Sequence, residues 1–396
     1  MVKEAVARPQ KHSLFNPAAS AAIFERKTIV KITHLETFLV KPRWLFLKIH
    51  TDAGLVGLGE PVLEGRALTC AQAVDELASY LVGKDPTCVI HHWQAMYRHA
   101  FYRGGPILTS ALSGVEQALW DLTGKALGVP VYKLFGGPTR DRIRMYKHVG
   151  DAEAVKVWRD QGFTAFKTGV QGGRPARIVE TMGFVERAAA HFAAMRQAAG
   201  PDADIAVDFH GAISPQTAKL LIKALEPYQP MFIEEPCQCQ NVDVMADIAR
   251  STHLPIATGE RIFTKWGFRE ILEKRAASIL QPDLCHAGGI HEVHLIAGMA
   301  EAYYAGIAPH NPLGPISLAA CIQLDATIPN FIAQEHVSLG EGYLLNPFVV
   351  KDGFVDLPTG PGLGIELNEA SLADKVHHDW RNPERYLEDD NSVVDW

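Results

Sequence analysis

Three short apolar runs, each containing a carboxylate at or near its end, decide the fold of the central part of the chain. They read I-A-V-D-F-H (residues 205–210), F-I-E-E (232–235) and I-A-T-G-E (256–260). Each run has the length of a buried strand, and the chain between two runs is long enough for one helix. Strands that alternate with helices in this way predict a parallel sheet flanked by helices.

The same pattern continues in both directions along the chain. Further strands are predicted at 143–148, 165–168, 279–283, 307–310 and 331–335. The total is eight strands, and eight successive β/α units predict a closed barrel. An open doubly wound sheet is the alternative on this pattern alone. Its nucleotide-binding form is excluded because no G-x-G-x-x-G follows a strand.

The chain before residue 139 has a different pattern, in which strands come first and helices follow. Antiparallel strands are predicted at 29–40 and 45–49, a hairpin turn at 51–54, and helices at 69–82, 92–99 and 110–127. This order is typical of a separate α+β unit. We expect the end of the chain to wrap back onto this unit. The predicted parts are therefore an N-terminal extension (1–30), an α+β domain (31–138), a barrel (139–342) and a C-terminal segment (343–396).

Composition and charge restrict the function classes. The chain has 396 residues and a formal net charge of −7, without a block of basic residues. Nucleic acids and anionic membranes usually require a basic face, so neither is a predicted partner. Six scattered cysteines are too few for a disulfide scaffold, and no apolar run approaches the length of a membrane span. Residues 1–30 lack the clear apolar centre of a secretory signal, and we predict a cytoplasmic enzyme.

Polar residues recur at the ends of the last six predicted strands. A single carboxylate after a strand is more often a helix N-cap or a salt-bridge partner. Packing, however, gives no reason for six polar residues at one period. A spacing of about one βα unit brings them to one mouth of a barrel, the face at which barrel enzymes work. They are Asp208, Glu234, Glu260, Asp283, His310 and Glu335, at spacings of 26, 26, 23, 27 and 25 residues.

Asp208, Glu234 and Glu260 are the predicted ligands of a Mg²⁺ ion. They lie on three successive strands, and hard oxygen ligands suit Mg²⁺, which keeps positions open for water or substrate oxygens. Zinc is a poorer match because the set needs no cysteine or histidine. At Glu234-Glu235 only one side chain can face the metal, since strand residues alternate, and we favour Glu234.

Two histidines flank this predicted metal site. His210 follows Asp208 by two residues, so the strand period places both on one face. His310 ends the seventh strand beside Asp283 on the sixth, and a carboxylate beside an imidazole fixes its tautomer and raises its basicity. These features predict a general base that removes a proton next to a substrate carboxylate, while the metal stabilises the resulting ene-diolate.

Ten short motifs resemble those of the enolase superfamily and, within it, the D-galactonate dehydratase family. Five lie in the predicted barrel: V-D-F-H-G (207–211), F-I-E-E-P (232–236), T-G-E-R (258–261), Q-P-D-L-C-H-A-G-G-I (281–290) and A-P-H-N-P-L-G-P (308–315). Five lie outside it: P-R-W (42–44), F-Y-R-G-G-P (101–106), A-L-W-D (118–121), W-R-N-P (380–383) and D-N-S-V (390–393). The resemblance covers about residues 31–396.

The resemblance implies an α/β fold, a modified (β/α) TIM barrel with an N-terminal α+β capping domain, and Mg²⁺ on the three carboxylates named above. It also implies that His310, supported by Asp283, is the base at C2 of the substrate. His210 is then the acid that expels the 3-hydroxyl, and Glu335 hydrogen-bonds the substrate carboxylate or ene-diolate. The implied enzyme is a carbon–oxygen lyase that dehydrates an aldonic acid, D-galactonate or a close relative, to a 2-keto-3-deoxy acid. We expect it to be a homo-oligomer.

Departures from the family pattern concern the predicted substrate. Lys167 matches the family's second-strand lysine, but Gly169 stands two positions later, which disfavours racemases that use a lysine there. Ala212 replaces the arginine of H-G-R, Asn311 replaces the cysteine of H-C-P, and the stretch 169–176 also differs. These positions lie at the predicted mouth, so gluconate or another acid sugar is an alternative substrate. A racemase or epimerase of the same superfamily and a non-catalytic sugar-acid-binding barrel are the alternative functions.

Overall fold

The computed structural model describes residues 30–99, 101–170 and 175–395. The predicted N-terminal extension, residues 1–30, therefore lies outside the described residues apart from residue 30. Residues 171–174, within the stretch that departs from the family pattern, lie outside them as well. No helix in the described ranges is both long and apolar enough to cross a membrane.

The first domain combines a three-stranded antiparallel sheet with helices. The turn at 51–54 lies at a hairpin as predicted, and Gly54 has a φ of 76°, which glycine adopts without steric cost. Apolar side chains of the sheet and the helices form one common core. The strands are β1 (Ile32–Val40), β2 (Trp44–Thr51) and β3 (Val56–Gly59), and the helices are α1 (Ala67–Leu81), α2 (Val89–His99), α3 (Pro106–Leu127) and the single turn α4 (Val131–Leu134).

Eight parallel strands form the barrel of the second domain. They are β4 (Arg142–His148), β5 (Ala165–Gly169), β6 (Asp204–Asp208), β7 (Ile233–Glu234), β8 (Ile256–Thr258), β9 (Ile279–Leu280), β10 (Gly306–Ile307) and β11 (Gln334–Glu335). Strands β4 to β10 pair in chain order, and β11 pairs with β4. A parallel bridge between Ile307 and Phe331 connects β10 to the segment before β11. The closed barrel predicted from the sequence is therefore confirmed.

In the part of the chain that the structure describes, seven helices connect the eight barrel strands, and the eighth predicted helix, after β11, is missing. In the described chain, β11 is followed by a hairpin of β12 (Val350–Lys351) and β13 (Phe354–Asp356), and β13 pairs antiparallel with β4. The expectation of eight β/α units is therefore wrong for the last unit. The helices are α5 (Ala152–Asp160), α6 (Met182–Ala199), α7 (Pro215–Leu225), α8 (Val242–Arg250), α9 (Thr264–Lys274), α10 (Gly289–Ala302) and α11 (Pro315–Asp325).

The C-terminal segment contacts both domains. The backbone N–H of Lys41 donates to the carbonyl of Lys375 (2.9 Å), and the hydroxyl of Tyr343 donates to the carbonyl of Lys41 (3.0 Å). A short helix, α12 (Glu369–Leu372), lies beside β2 through the ion pair of Glu369 with Lys48 (2.6 Å). The hairpin of β12 and β13 extends the barrel sheet instead, a contact that was not predicted. The domain boundaries themselves stay a prediction.

Two buried carboxylates of the first domain fix it over one end of the barrel. Glu60 accepts hydrogen bonds from the backbone N–H groups of Gly314 (2.7 Å) and Ser317 (3.0 Å), at the start of α11. Glu116 accepts one from Ile290 (2.7 Å), at the start of α10. The first N–H groups of a helix have no partner within it and carry the positive end of its dipole. Because barrel helices begin where the strands end, these bonds place the first domain over the predicted site.

Asp121 connects three parts of the chain from a buried position in α3. Its carboxylate accepts hydrogen bonds from the N–H groups of Leu58 on β3 (2.9 Å) and Leu363 in the C-terminal segment (2.8 Å). It also contacts the ammonium group of Lys125, one helical turn later, at 2.6 Å. Asp121 belongs to the A-L-W-D motif, which therefore has a structural role.

We expect Asp121→Asn to lower the free energy of unfolding by about 1.5–3 kcal/mol, measured by urea denaturation. An amide has a single acceptor oxygen, so one of the two backbone N–H groups would face another donor, and the charge opposite Lys125 would be lost. Glu369→Gln is the matched control. It breaks an exposed ion pair and should cost less than about 1 kcal/mol. Equal losses in the two variants would contradict the structural role of Asp121.

Candidate active site

The predicted carboxylates meet at the carboxyl ends of the barrel strands. Asp208 ends β6, Glu234 ends β7 and Glu260 lies just beyond β8. One oxygen from each of the three lies within 4.8 Å of one oxygen from each of the others. An all-oxygen set of this size matches the ligand preference of Mg²⁺.

Four of the predicted strands are too long at this end by two or three residues. The predictions 205–210, 256–260, 279–283 and 307–310 correspond to β6, β8, β9 and β10, which end at residues 208, 258, 280 and 307. Glu260, Asp283 and His310 therefore lie on the turns that lead from strand to helix. The regular spacing of these residues is still meaningful, because the last residues of the three strands, Thr258, Leu280 and Ile307, are paired in the sheet.

Glu234 and Glu235 have different surroundings. Glu235 accepts hydrogen bonds from the hydroxyl of Thr258 and from the guanidinium group of Arg261, whose Nε lies 3.0 Å away. Its charge is thus paired within the barrel wall. Glu234 is completely buried and lies in the three-carboxylate set.

Lys167 on β5 contacts four carboxylate oxygens in the interior of the site. Its Nζ lies 2.9 and 3.0 Å from the two oxygens of Glu234, 2.8 Å from Glu335 and 3.8 Å from Asp208. Burial favours the neutral amine, but the surrounding carboxylates raise the pKa of Lys167 well above its ordinary value. The cluster therefore contains a buried positive charge that contacts Glu234, Glu335 and Asp208.

His310 lies between two carboxylates. Its Nδ1 is 2.8 Å from Asp283, and its Nε2 is 3.1 Å from Glu260. Burial lowers the pKa of His310, but Glu260, Glu335 and Asp283 together raise it well above the ordinary value. The contact with Asp283 fixes the tautomer and directs Nε2 towards the carboxylate set.

His210 contacts the set from the side of Asp208. Its Nε2 is 3.0 Å from one oxygen of Asp208, and its backbone N–H donates to the other (2.7 Å). His210 does not continue the alternation of β6 as predicted, because β6 ends at Asp208 and His210 has a φ of 52°. A left-handed turn, not the pleat, brings the imidazole to the site. Burial and the charge of Lys167 lower the pKa of His210 to about 4.

Glu335 is held by three different partners. In addition to Lys167, it contacts Nε2 of His148 at 2.5 Å and accepts a hydrogen bond from the N–H of Asn311 at 2.8 Å. Burial raises the pKa of Glu335, but Lys167 and His310 hold it well below the usual range. His148 had no predicted role. It is the last residue of β4 and ends the first predicted barrel strand, 143–148, so considering the polar residue at that strand end as well would have found it.

The first domain contributes side chains that sequence reasoning missed. Glu64 lies 3.5 Å from His286, which lies 3.7 Å from Asp283. Arg43 lies 3.9 Å from Glu64 and donates to the carbonyl of Pro312 (3.1 Å). Burial raises the pKa of Glu64, but His286 and Arg43 lower it to about 2. No sequence period relates these residues, because the contact crosses from one domain to the other.

A cavity of about 670 Å³ opens beside His210. Its lining includes Gly169 and Ala212, two of the positions that depart from the family pattern, and Arg385 of the C-terminal segment. Asn311, another such position, is buried against Glu335. Two of the departures therefore lie in the cavity beside His210, and the third lies beside Glu335.

The fold and the site define a barrel enzyme with a capping domain and an acidic set that could hold a metal ion. Residues 21–136 match the family described as "Mandelate racemase / muconate lactonizing enzyme, N-terminal domain". Residues 151–371 match the family described as "Enolase C-terminal domain-like". The chain belongs to this family of the enolase superfamily, which confirms the resemblance found in the sequence.

Two curated relatives extend over nearly the whole chain. A D-galactonate dehydratase from Ralstonia nicotianae is 48% identical over 93% of this chain and 100% of its own length. One from Ralstonia pickettii is 47% identical with the same coverage. These dehydratases confirm the prediction of a hydro-lyase.

Solved structures support the same fold. An enolase from Agrobacterium radiobacter, bound to Na and L-malate, has a TM-score of 0.85 at 32% identity and covers 92% of this chain and 99% of its own. A member of the enolase superfamily from Salmonella typhimurium has a TM-score of 0.82 at 31% identity and covers 86% and 97%. The predicted fold class, an enolase-like modified barrel with an N-terminal capping domain, is confirmed.

Proposed function

We propose that this chain is a Mg²⁺-dependent dehydratase that converts D-galactonate, or a closely related aldonic acid, to a 2-keto-3-deoxy acid. One observation carries the proposal. Three carboxylates on successive strands are flanked by two imidazoles, His210 beside Asp208 and His310 beside Glu260. The two relatives at 47–48% identity, both D-galactonate dehydratases, support the same reaction.

We assign Asp208, Glu234 and Glu260 as the ligands of Mg²⁺. When bound, Mg²⁺ supplies Lewis-acid stabilisation of the negative charge that develops on the substrate carboxylate. The chain's own residues complete the charge balance. Lys167 offsets the repulsion between Glu234 and Glu335, and Glu335 is positioned to hydrogen-bond the substrate carboxylate or the ene-diolate.

The first step in the proposal is removal of the C2 proton by Nε2 of His310. The electron pair of the C2–H bond moves into the substrate carboxylate and gives an ene-diolate. Asp283 holds Nδ1 of His310 and stabilises the imidazolium that forms. His310 can therefore accept the proton without changing its position.

The second step is loss of the 3-hydroxyl with a proton from His210. The C3–O bond breaks, water leaves, and the ene-diolate electrons form the C2=C3 bond of an enol. The enol then takes up a proton at C3 and releases the proton of its 2-hydroxyl, which gives the 2-keto-3-deoxy acid. His210 lies at the edge of the cavity, where its side chain is 39% exposed, so the departing water has a path out of the site.

The substrate remains an aldonic acid of the D-galactonate type in this proposal, with gluconate as the alternative. The cavity beside His210 has a volume within the usual range of small-molecule sites. In this proposal, the departures at Gly169, Ala212 and Asn311 lie where the protein would recognise the substrate hydroxyls. The predicted cytoplasmic location, homo-oligomeric state and lack of a nucleic-acid partner stay predictions.

A keto-acid assay with Mg²⁺ and a panel of aldonates tests the proposal. We expect D-galactonate to give a 2-keto-3-deoxy acid, and Glu234→Gln protein to serve as the background control. If only the C2 configuration of a substrate changes and no keto acid forms, the chain is a racemase or epimerase. If no acid sugar reacts although several bind, the chain is a non-catalytic binder.

A further inference from the structure

Three potential metal ligands lie together on the sheet of the first domain, away from the active site. His34 and Glu36 are two residues apart on β1, and His50 on β2 pairs directly with His34. One ligand atom from each of the three lies within 4.8 Å of the others. Leu47 and Ile49 on β2 point into the core formed with the helices, so His50 points to the opposite face of the sheet.

The neighbours of this cluster leave its ligand atoms available. Nδ1 of His34 lies 3.2 Å from the hydroxyl of Thr33, so we assign Nε2 as the ligand atom of His34. Nε2 of His50 is buried and has no hydrogen-bond partner among the described residues. Lys48, the residue opposite Glu36 in the strand pairing, makes an ion pair with Glu369 instead. Metal-binding histidines typically have their second ring nitrogen hydrogen-bonded in the way that Thr33 provides.

We propose that His34, Glu36 and His50 form a binding site for a borderline divalent cation such as Zn²⁺. Two imidazoles and one carboxylate are the ligands of known zinc sites with an open fourth position, and they suit Zn²⁺, Ni²⁺ or Cu²⁺ better than Mg²⁺. This ligand chemistry separates the site from the all-oxygen set in the barrel.

The distances fit a shared cation after a small adjustment. Nε2 of His50 lies 3.4 Å from Oε2 of Glu36, and two ligands of one tetrahedral zinc ion are separated by about 3.4 Å. The imidazoles of His34 and His50 are stacked, with ring centroids 4.1 Å apart and planes 6° from parallel. One ring has to rotate about its Cβ–Cγ bond to share the cation, and this torsion is soft in histidine.

Titration of the untagged full-length protein with Zn²⁺ in excess Mg²⁺ tests the site by calorimetry. We expect one Zn²⁺ equivalent whose affinity falls at least about tenfold in His34→Ala and in His50→Ala, since even indirect support of a metal ligand is worth this much. The conservative variant Glu36→Gln should also weaken binding, and Cu²⁺ bound at the site should show hyperfine coupling to two imidazole nitrogens. Zn²⁺ should raise the melting temperature of the wild type but not of His34→Ala.

His91→Ala is the matched control, because His91 is an exposed histidine on α2 outside the cluster. It should keep the affinity of the wild type. Turnover of the acid sugar with Mg²⁺ should be unchanged in His34→Ala, which separates this site from the active site. The proposal is wrong if the wild type shows no saturable Zn²⁺ binding in excess Mg²⁺. It is also wrong if His34→Ala and Glu36→Gln bind Zn²⁺ as tightly as His91→Ala does.

Discussion

Replacement of His310 by asparagine should abolish both water elimination and the exchange of the C2 hydrogen with deuterated solvent. His310 is assigned as the base, and asparagine offers a polar side chain that cannot take up the proton. A positioned base typically contributes roughly 10²–10⁴-fold to the rate. Proton NMR of the substrate in deuterated water measures the exchange, and a keto-acid assay measures the elimination.

The same substitution at His210 should separate the two measurements. His210→Asn should lose elimination by a similar factor, since the acid that expels the 3-hydroxyl is gone. It should retain C2 exchange, because the ene-diolate can still form at His310 and be reprotonated there. The two variants are matched, with one imidazole removed on each side of the carboxylate set.

A substrate analogue with fluoride at C3 sharpens the comparison. Fluoride leaves with little acid assistance, so the analogue should restore elimination in His210→Asn and not in His310→Asn. Rescue of His310→Asn instead would reverse the acid and base assignments and leave the proposed metal ligands unaffected.

In the protein without a bound cation, the pKa shifts of the two histidines are opposite to their assigned roles as acid and base. Burial and Lys167 lower the pKa of His210 to about 4, whereas the neighbouring carboxylates raise the pKa of His310 well above its ordinary value. In this charge state the proton resides on the imidazole that is assigned as the base. A divalent cation held by Asp208 and Glu260 would oppose protonation of both imidazoles, because His210 lies 3.0 Å from Asp208 and His310 lies 3.1 Å from Glu260. The exchange and elimination measurements with the cation bound therefore decide which imidazole acts as the base.

The barrel could be predicted because its strands recur at a regular spacing in the sequence. The βα units from β6 onwards have nearly the same length, so residues such as Asp208, Glu234 and Glu260 recur at a spacing that needs no knowledge of tertiary contacts. The exact strand ends could not be read, since Asp283 and His310 are on turns whose first residues continue the apolar pattern of the strand. The hairpin that replaces the eighth helix was missed for a similar reason, because chain length alone does not distinguish the two.

Contacts between the two domains could not be predicted from the sequence. Glu60 and Glu116 bind helix N-termini of the barrel, and Glu64 reaches His286, across separations that no local pattern encodes. The A-L-W-D motif was visible, but the partners of Asp121 were not. The conformation of His210 was also hidden, because a positive φ at a histidine depends on the loop around it and not on the residue's own preference.

Chelation of divalent cations should reduce turnover to the background rate, and added Mg²⁺ should restore it. Glu234→Gln should weaken Mg²⁺ binding by more than about 100-fold, measured by calorimetry, because it removes a direct ligand, and even second-shell partners are worth about 10–100-fold. The variant also removes a carboxylate that contacts Nζ of Lys167 through both of its oxygens, at 2.9 and 3.0 Å.

Glu235→Gln is the control for this prediction, since it makes the same chemical change one residue further along the chain. Glu235 is paired with Arg261 and Thr258 in the barrel wall, so its loss should disturb local packing and leave Mg²⁺ affinity within a few-fold. Severe loss of Mg²⁺ binding in Glu235→Gln but not in Glu234→Gln would show that Glu235, and not Glu234, is the ligand from this strand. Full activity of chelator-treated, metal-free protein would show that the reaction does not depend on a metal ion. Lys167, which contacts Glu234 and Glu335, and the imidazolium formed at His310 would then have to offset the ene-diolate charge.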